Sequence, residues 1–81
     1  MLSSQIVTEE HTIVDMIHID GESVVRITTS SNKSPTAPRT EIMLPVEYKT
    51  QLVPGTPVSL RRLGNSKTYL TMQIGDMVFD L

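Results

Sequence analysis

The chain offers few residues that could bind a metal or a cofactor. It has two histidines, His11 and His18, and no cysteine. Because the histidines lie seven positions apart, we expect them to point to opposite faces of one strand and to share no metal ion. His18 shares a face with Asp20, but two ligands do not make a metal site. We expect both histidines to be solvent-facing strand residues, and the sequence predicts neither a metal nor a cofactor.

Catalysis by a side-chain nucleophile needs the nucleophile, a base and a group that orients the base. The chain has eight serines, and none of them lies in a Gly-x-Ser-x-Gly turn. Its four glycines are spread among predicted turns, so there is no glycine-rich loop that could cradle a phosphate. A chain of 81 residues also has little depth for a pocket that excludes water. We therefore predict that the protein is not an enzyme.

The basic residues of the chain indicate a different kind of function, the recognition of nucleic acid. Residues 26–68 hold all seven lysines and arginines, whereas residues 1–25 hold five acidic residues and no base. We expect Arg61 to share a strand face with Tyr69, whose ring would stack on a base while nearby cations contact phosphates. The net charge of −2 opposes non-specific binding. A nucleic-acid-binding regulator is the alternative function, with a site made of Lys33, Arg39, Arg61, Arg62, Lys67 and Tyr69.

The elements that position these residues are strands. Valine, isoleucine and threonine supply 25 of the 81 residues, and alanine only one. Branched Cβ atoms favour a pleated sheet, and a near absence of alanine argues against helices. The composition excludes a coiled coil, a helical bundle, a disulfide scaffold and a membrane-spanning helix. We predict one all-β domain over residues 1–81, with a modest aliphatic core that a homodimer or a bound partner would help to stabilise.

The first predicted hairpin is centred on Asp-Gly at residues 20–21. This dipeptide favours a two-residue turn with positive φ, which would join strands at 12–19 and 22–29. In the resulting register Asp15 lies opposite Arg26, as expected for an acid and a base on neighbouring strands.

Residues 58–81 are predicted to form a three-stranded meander. Gly-Asp at 75–76 suits a type II′ turn, and this turn brings three pairs of apolar residues together on one face. A three-residue loop at 64–66 joins the first two of these strands. This loop length places the apolar residues of both strands on the same face and sets Leu60 opposite Leu70.

The remaining segments complete a sheet of six strands. Residues 40–44 indicate a short strand, and Pro45 can open a helical turn that ends by Leu52. Residues 1–10 are expected to be a flexible tail or an extra strand, and residues 30–39 a flexible basic loop. Six short antiparallel strands in so small a chain favour a barrel or a curled sheet with at most one short helical turn.

One phrase of the sequence resembles two known families. Residues 41–45 (EIMLP) followed by 52–60 (LVPGTPVSL) are similar to the second half of a PilZ barrel, which binds a cyclic dinucleotide. The Leu-Pro strand also resembles that of AbrB-type DNA-binding modules. Each likeness covers about half of the chain, and the arginine-rich start and Asp/Asn-x-Ser-x-x-Gly motif of PilZ are absent. Turn chemistry alone explains the phrase, so we assign no family. A further alternative function is a small-ligand (nucleotide) binding barrel, which would need a pocket near Arg26 or Arg39.

Apolar residues left outside the predicted core suggest the leading function. In the predicted first hairpin Val14 faces the core, and four branched residues face the other way. Such patches on small domains usually mark protein–protein interfaces. We therefore predict a non-enzymatic regulatory or adaptor module that binds a protein partner or a second copy of itself. The absence of cysteine favours the cytoplasm. The predicted interface residues are Ile13, Ile17, Ile19 and Val24.

Overall fold

The computed structural model describes residues 5–81 and is made almost entirely of antiparallel sheet. Six strands curl into a half-barrel in the order β3-β2-β1-β4-β5-β6, with one short 3-10 helix after β3. The prediction of an all-β barrel or curled sheet with at most one short helical turn is confirmed. The elements are β1 (Ile6–His18), β2 (Val24–Ser31), β3 (Thr40–Pro45), the 3-10 helix (Val46–Gln51), β4 (Pro57–Leu63), β5 (Tyr69–Ile74) and β6 (Met77–Asp80).

Strand β1 is the spine of the sheet and is longer than predicted. Its first half pairs with β4 and its second half with β2, so the two halves of the chain meet along it. Residues 6–10 are therefore not a tail but the start of this strand, while residues 1–4 lie outside the described residues. Because β1 joins the two flanking sets of strands, side chains from distant parts of the sequence meet on its inner face.

The β1–β2 hairpin forms, but its register differs from the prediction by two residues. Ile17 pairs with Arg26, and Asp15 pairs with Thr28. The backbone N–H of Glu22 donates to the carbonyl of Ile19 at 2.9 Å and closes the turn at Asp20 and Gly21. The last pair of the hairpin is nevertheless His18 with Val25, so the connection between the strands is longer than two residues. The predicted Asp15–Arg26 pair is therefore wrong. One Asp15 carboxylate oxygen instead accepts from the backbone N–H of Met16 at 2.9 Å.

A β-bulge between Ile13 and Asp15 corrects the predicted face of two residues. A bulge inserts one extra residue into a strand, so the alternation of side chains shifts beyond it. Ile13 pairs with Thr29 and is fully buried in the core, whereas Val14 is only half-buried. The prediction that Val14 faces the core and Ile13 faces outward is therefore wrong.

The C-terminal hairpin has the predicted register. Ile74 pairs with Met77 and Met72 with Phe79, and φ is positive at Gly75 (56°) but not at the following aspartate, as a type II′ turn requires.

The β4–β5 hairpin keeps the predicted parity but not the predicted pairs. Leu60 lies opposite Met72 rather than Leu70. A second bulge, with Leu70 as the extra residue on β5, then sets Arg62 opposite Tyr69. Arg62 already faces inward, two residues after the buried Leu60, and the bulge turns Tyr69 to the same side. Leu70 is left 43% exposed, in contrast to its predicted place on the apolar inner face.

The 3-10 helix and the turn after it close one end of the half-barrel. Pro45 precedes the helix as predicted, and Leu52 just beyond it is fully buried. The rings of Tyr48 and Phe79 meet edge to face, with centroids 4.9 Å apart, which ties the helix to β6. No helix within residues 5–81 is long and apolar enough to cross a membrane. The buried apolar core consists of Ile13, Val25, Ile27, Ile42, Leu44, Leu52, Val58, Leu60 and Met72.

Candidate functional site

The opposite end of the half-barrel carries polar rather than apolar residues on its inner face. We call Glu9, His11, Arg62 and Tyr69 the mouth cluster. They come from β1, β4 and β5, and the β2–β3 and β4–β5 loops flank them.

Strand alternation explains why these side chains converge. Glu9 pairs with the buried Leu60, and His11 with the buried Val58, so both face inward. On β4 Arg62 continues the inward alternation of the buried Val58 and Leu60, and on β5 the bulge at Leu70 turns Tyr69 to the same side. The cluster thus depends on regular alternation in β1 and β4 and on a bulge in β5.

Glu9 is the centre of the cluster. Its Oε1 accepts a hydrogen bond from the Tyr69 hydroxyl at 2.7 Å and lies 3.2 Å from Nε2 of His11. Its Oε2 accepts from Nε of Arg62 at 2.7 Å. Both carboxylate oxygens are therefore occupied, and the neighbouring side chains lie on β1, β4 and β5.

Arg62 and His11 are each held by further bonds. Nη1 of Arg62 donates to the carbonyls of Leu63, Gly64 and Ser66 at 3.2–3.4 Å, which fixes the β4–β5 loop against the guanidinium. The His11 side chain is 3% exposed, and its Nδ1 lies 2.9 Å from the hydroxyl of the buried Thr29. The expectation of a solvent-facing histidine at this position is therefore wrong.

The bonds within the cluster shift two pKa values in opposite directions. Hydrogen bonds from Tyr69, first, and from Arg62 lower the pKa of Glu9 to about 2. Burial, together with the hydrogen bond to Glu9, raises the pKa of Tyr69. A carboxylate with so low a pKa is a poor proton acceptor near neutral pH, and a tyrosine with a raised pKa is a poor nucleophile.

Two clefts open on either side of the mouth cluster, and both are lined by Glu9, Arg62 and Tyr69. The larger, of about 710 Å³, also includes the β2–β3 loop and Lys33. The smaller, of about 430 Å³, includes the β4–β5 loop and Lys67.

A second candidate site lies on the outer face of the sheet. Ile17, Ile19 and Met43 are 38%, 62% and 58% exposed, and Val24 beside them is half-buried. We call these four residues the outer patch. Met43 joins because it pairs with Arg26, which in turn pairs with Ile17. They surround a shallow depression of about 160 Å³, whose rim also includes Glu22 and Arg26.

The predicted interface residues thus separate into two groups. Ile17, Ile19 and Val24 lie together around the depression, whereas Ile13 is buried in the core and belongs to no exposed face. The sequence prediction missed Met43, because the place of this residue in the patch depends on which strand lies next to β2.

The predicted nucleic-acid residues also separate. Arg61 points outward and donates to Oε1 of Gln73 at 2.7 Å, while Arg62 and Tyr69 point into the mouth cluster. The expectation that Arg61 and Tyr69 share a face is therefore wrong. The exposed side chains of Lys33, Arg39 and Lys67 lie on the two loops that flank the cluster.

Glu9 and His11 are the functional candidates that the sequence prediction missed. Their spacing of two places them on one face of any strand, and this was the available indication. The β1 bulge also turns His18 inward, since it pairs with the buried Val25, so the two histidines do not face opposite ways.

Neither histidine belongs to a metal site in the part of the chain that the structure describes, where no three His, Cys, Asp or Glu side chains converge. Comparison of the chain with protein-family models, curated proteins and solved structures finds no match.

Proposed function

We propose that the protein is a small non-enzymatic regulatory or adaptor module that acts by binding a second copy of itself through the outer patch. The observation that carries this proposal is that the four apolar side chains of the outer patch lie next to one another on the solvent-facing side of the sheet. They come from β1, β2, β3 and the turn between β1 and β2. An exposed apolar patch rimmed by charged residues is typical of protein–protein interfaces. The cytoplasm is the proposed compartment, because a small domain in an oxidising compartment usually carries disulfides.

The charges at the rim favour a second copy as the partner. Arg26 and Glu22 border the same depression, and neither forms an ion pair with another of residues 5–81. In a two-fold dimer the same patch meets itself, so a contact between two different rim residues is formed twice, once in each direction. Each Arg26 would then lie against Glu22 of the other copy, which makes the patch complementary to itself.

The chemistry of the mouth cluster supports a non-enzymatic function. Its carboxylate, guanidinium and phenol are bonded to one another, and the pKa shifts move Glu9 and Tyr69 away from acid–base catalysis near neutral pH. The cluster therefore stabilises the fold and does not supply a reactive group.

Sedimentation equilibrium tests the proposed dimer. We expect wild-type protein to be dimeric at high micromolar concentration, and Ile17→Glu to weaken the dimer by about 2–4 kcal/mol, because a charge would be buried in the apolar centre. The matched control is Ile6→Glu, which changes an isoleucine that is also exposed on β1 but lies at its other end. A monomeric wild type, or an equal effect of both substitutions, would overturn the proposal.

Charge exchange at the rim tests the two-fold arrangement. Arg26→Glu and Glu22→Arg should each weaken the dimer, since each places like charges opposite one another. Mixing the two singly substituted proteins should restore association, because opposite charges then meet at both contacts. If the mixture associates no better than either protein alone, Arg26 and Glu22 do not face each other across a two-fold interface.

A further inference from the structure

The two clefts at the mouth cluster form one groove that crosses the end of the half-barrel. They share Glu9, Arg62 and Tyr69, and each is walled by a different loop. We call the two clefts together the mouth groove. Its position on the inner face separates it from the outer patch.

Arg62 in this groove is held in place and keeps donors free. Its Nε is bonded to Glu9 and its Nη1 to three loop carbonyls, so the plane of the guanidinium is fixed. Nη2 has no hydrogen-bond partner among residues 5–81. It is also accessible to solvent, because among these residues Oγ1 of Thr71 is the only side-chain polar atom that is both buried and without a partner. A fixed guanidinium with two open N–H donors is well suited to bind an oxyanion.

The charges that line the groove favour an anion, although the whole chain is acidic. Three cations, Lys33, Arg62 and Lys67, line it, against two carboxylates. Glu9 is already neutralised by Arg62, and both oxygens of Glu10 accept from the Ser59 hydroxyl. The groove is therefore locally positive, whereas the chain carries −2. Hydroxyl and amide groups from the end of β2 and from both loops add neutral donors and acceptors, namely Ser31, Asn32, Ser34, Asn65 and Ser66.

We propose that the mouth groove binds the phosphate groups of a small ligand such as a nucleoside diphosphate. Nη2 of Arg62 would donate to a phosphate oxygen, while Lys33 and Lys67 would approach it from the two loops. A short ligand fits the observations better than a nucleic-acid strand. Tyr69 is held edge-on to His11 and bonded to Glu9, so no row of free aromatic rings is available within residues 5–81 to stack successive bases.

Isothermal titration calorimetry with ADP and with inorganic pyrophosphate tests this site. We expect both to bind wild-type protein with a dissociation constant below about 1 mM, and adenosine not to bind, because the phosphates supply the contacts. Lys33→Ala and Lys67→Ala should each weaken binding roughly fivefold, as expected for one partly exposed charge. Lys49→Ala is the matched control, since Lys49 is an exposed lysine on the 3-10 helix and outside the groove. It should leave the affinity unchanged.

Two further measurements separate the mouth groove from the outer patch and from a nucleic-acid interface. Ile17→Glu lies on the outer patch and should bind ADP as well as wild type does, so failure of the dimer leaves the groove unaffected. The groove is overturned if neither phosphate ligand binds at millimolar concentration, or if Lys49→Ala weakens binding as much as the other lysine substitutions do. Binding of a thymidine oligonucleotide at concentrations where ADP does not bind would also overturn it, in favour of a nucleic-acid interface.

Discussion

The mouth cluster and the outer patch lie on opposite faces of the sheet and share only strand β1, and each reverses the usual rule for its face. The inner face, which elsewhere buries an aliphatic core, carries an acid, two bases and a phenol at one end. The outer face, where most apolar side chains are scattered singly, carries a group of adjacent apolar side chains at the other end of β1. The two regions differ in whether contacts within the same molecule compensate for the unusual side chains.

Hydrogen bonding distinguishes the two departures. Every titratable side chain of the mouth cluster bonds to another member of the cluster, so the inner polar groups are compensated within one molecule. The outer patch has no such compensation, because its exposed apolar surface is covered by none of residues 5–81. The first departure therefore stabilises the fold, and the second leaves surface for a partner.

Removing the centre of the mouth cluster should have the largest effect. We expect Glu9→Ala to lower the free energy of unfolding by about 2–3 kcal/mol, because Tyr69, Arg62 and His11 each lose a charge-assisted bond. Urea denaturation at a dilution at which the protein is monomeric measures this change. Glu10→Ala is the control, since Glu10 is the next residue on β1, carries the same charge, and accepts only from the exposed-side Ser59 hydroxyl.

The control should lose much less than 1 kcal/mol, as expected for a surface polar contact. Equal losses in the two variants would mean that the mouth cluster contributes no more than an ordinary surface interaction. The contrast between an inner network that stabilises the fold and an outer face that does not would then be lost.

Acid should weaken the same network by a smaller amount. The pKa of Glu9 is about 2 in the folded protein against 4.5 for an ordinary glutamate, so its stabilising effect is complete above about pH 5 and is lost as the pH falls towards 2. Allowing for solvent screening at this partly exposed side chain, we expect a loss of about 1–2 kcal/mol. Urea denaturation at several pH values measures it, and Glu9→Gln should remove this part of the acid sensitivity. An unchanged acid profile in that variant would show that other carboxylates are responsible.

Much of the fold could be predicted because turn chemistry and strand parity are local properties. The Gly-Asp turn at 75–76 determines the register of the last hairpin, and the structure has that register. Pro45 likewise marks the start of the 3-10 helix. The first hairpin has the predicted location and a wrong register, because the dipeptide at 20–21 does not determine how many flanking residues join the loop.

The candidate sites were harder to predict because both depend on β-bulges. An extra residue near Val14 moves Ile13 into the core and leaves the outer patch without it. The bulge after Arg61 turns Tyr69 from the outer face into the mouth cluster. Bulges are set by how neighbouring strands fit together, and the local sequence at these positions carries no glycine that would mark them. Strand order, which brings Met43 to the same depression as Ile17, is equally non-local.

The smallest predicted effect compares one substitution on the two faces. Oγ1 of Thr71, on the outer face of β5, is buried without a hydrogen-bond partner among residues 5–81, whereas the hydroxyl of Thr29 on the inner face bonds to His11. Valine has nearly the same shape as threonine and an equally high strand propensity, so the substitution changes mainly the hydroxyl. Thr71→Val removes a group that is desolvated without compensation and should stabilise the protein by about 0.5–1 kcal/mol. Thr29→Val removes a hydrogen bond from buried His11 and should destabilise the protein by about 1–2 kcal/mol.

Thermal and urea denaturation of the two variants measure both changes in stability, the gain in Thr71→Val and the loss in Thr29→Val. A loss of stability in Thr71→Val would show that its hydroxyl does have a partner, and the inner face would no longer differ from the outer face in how fully its polar groups are bonded.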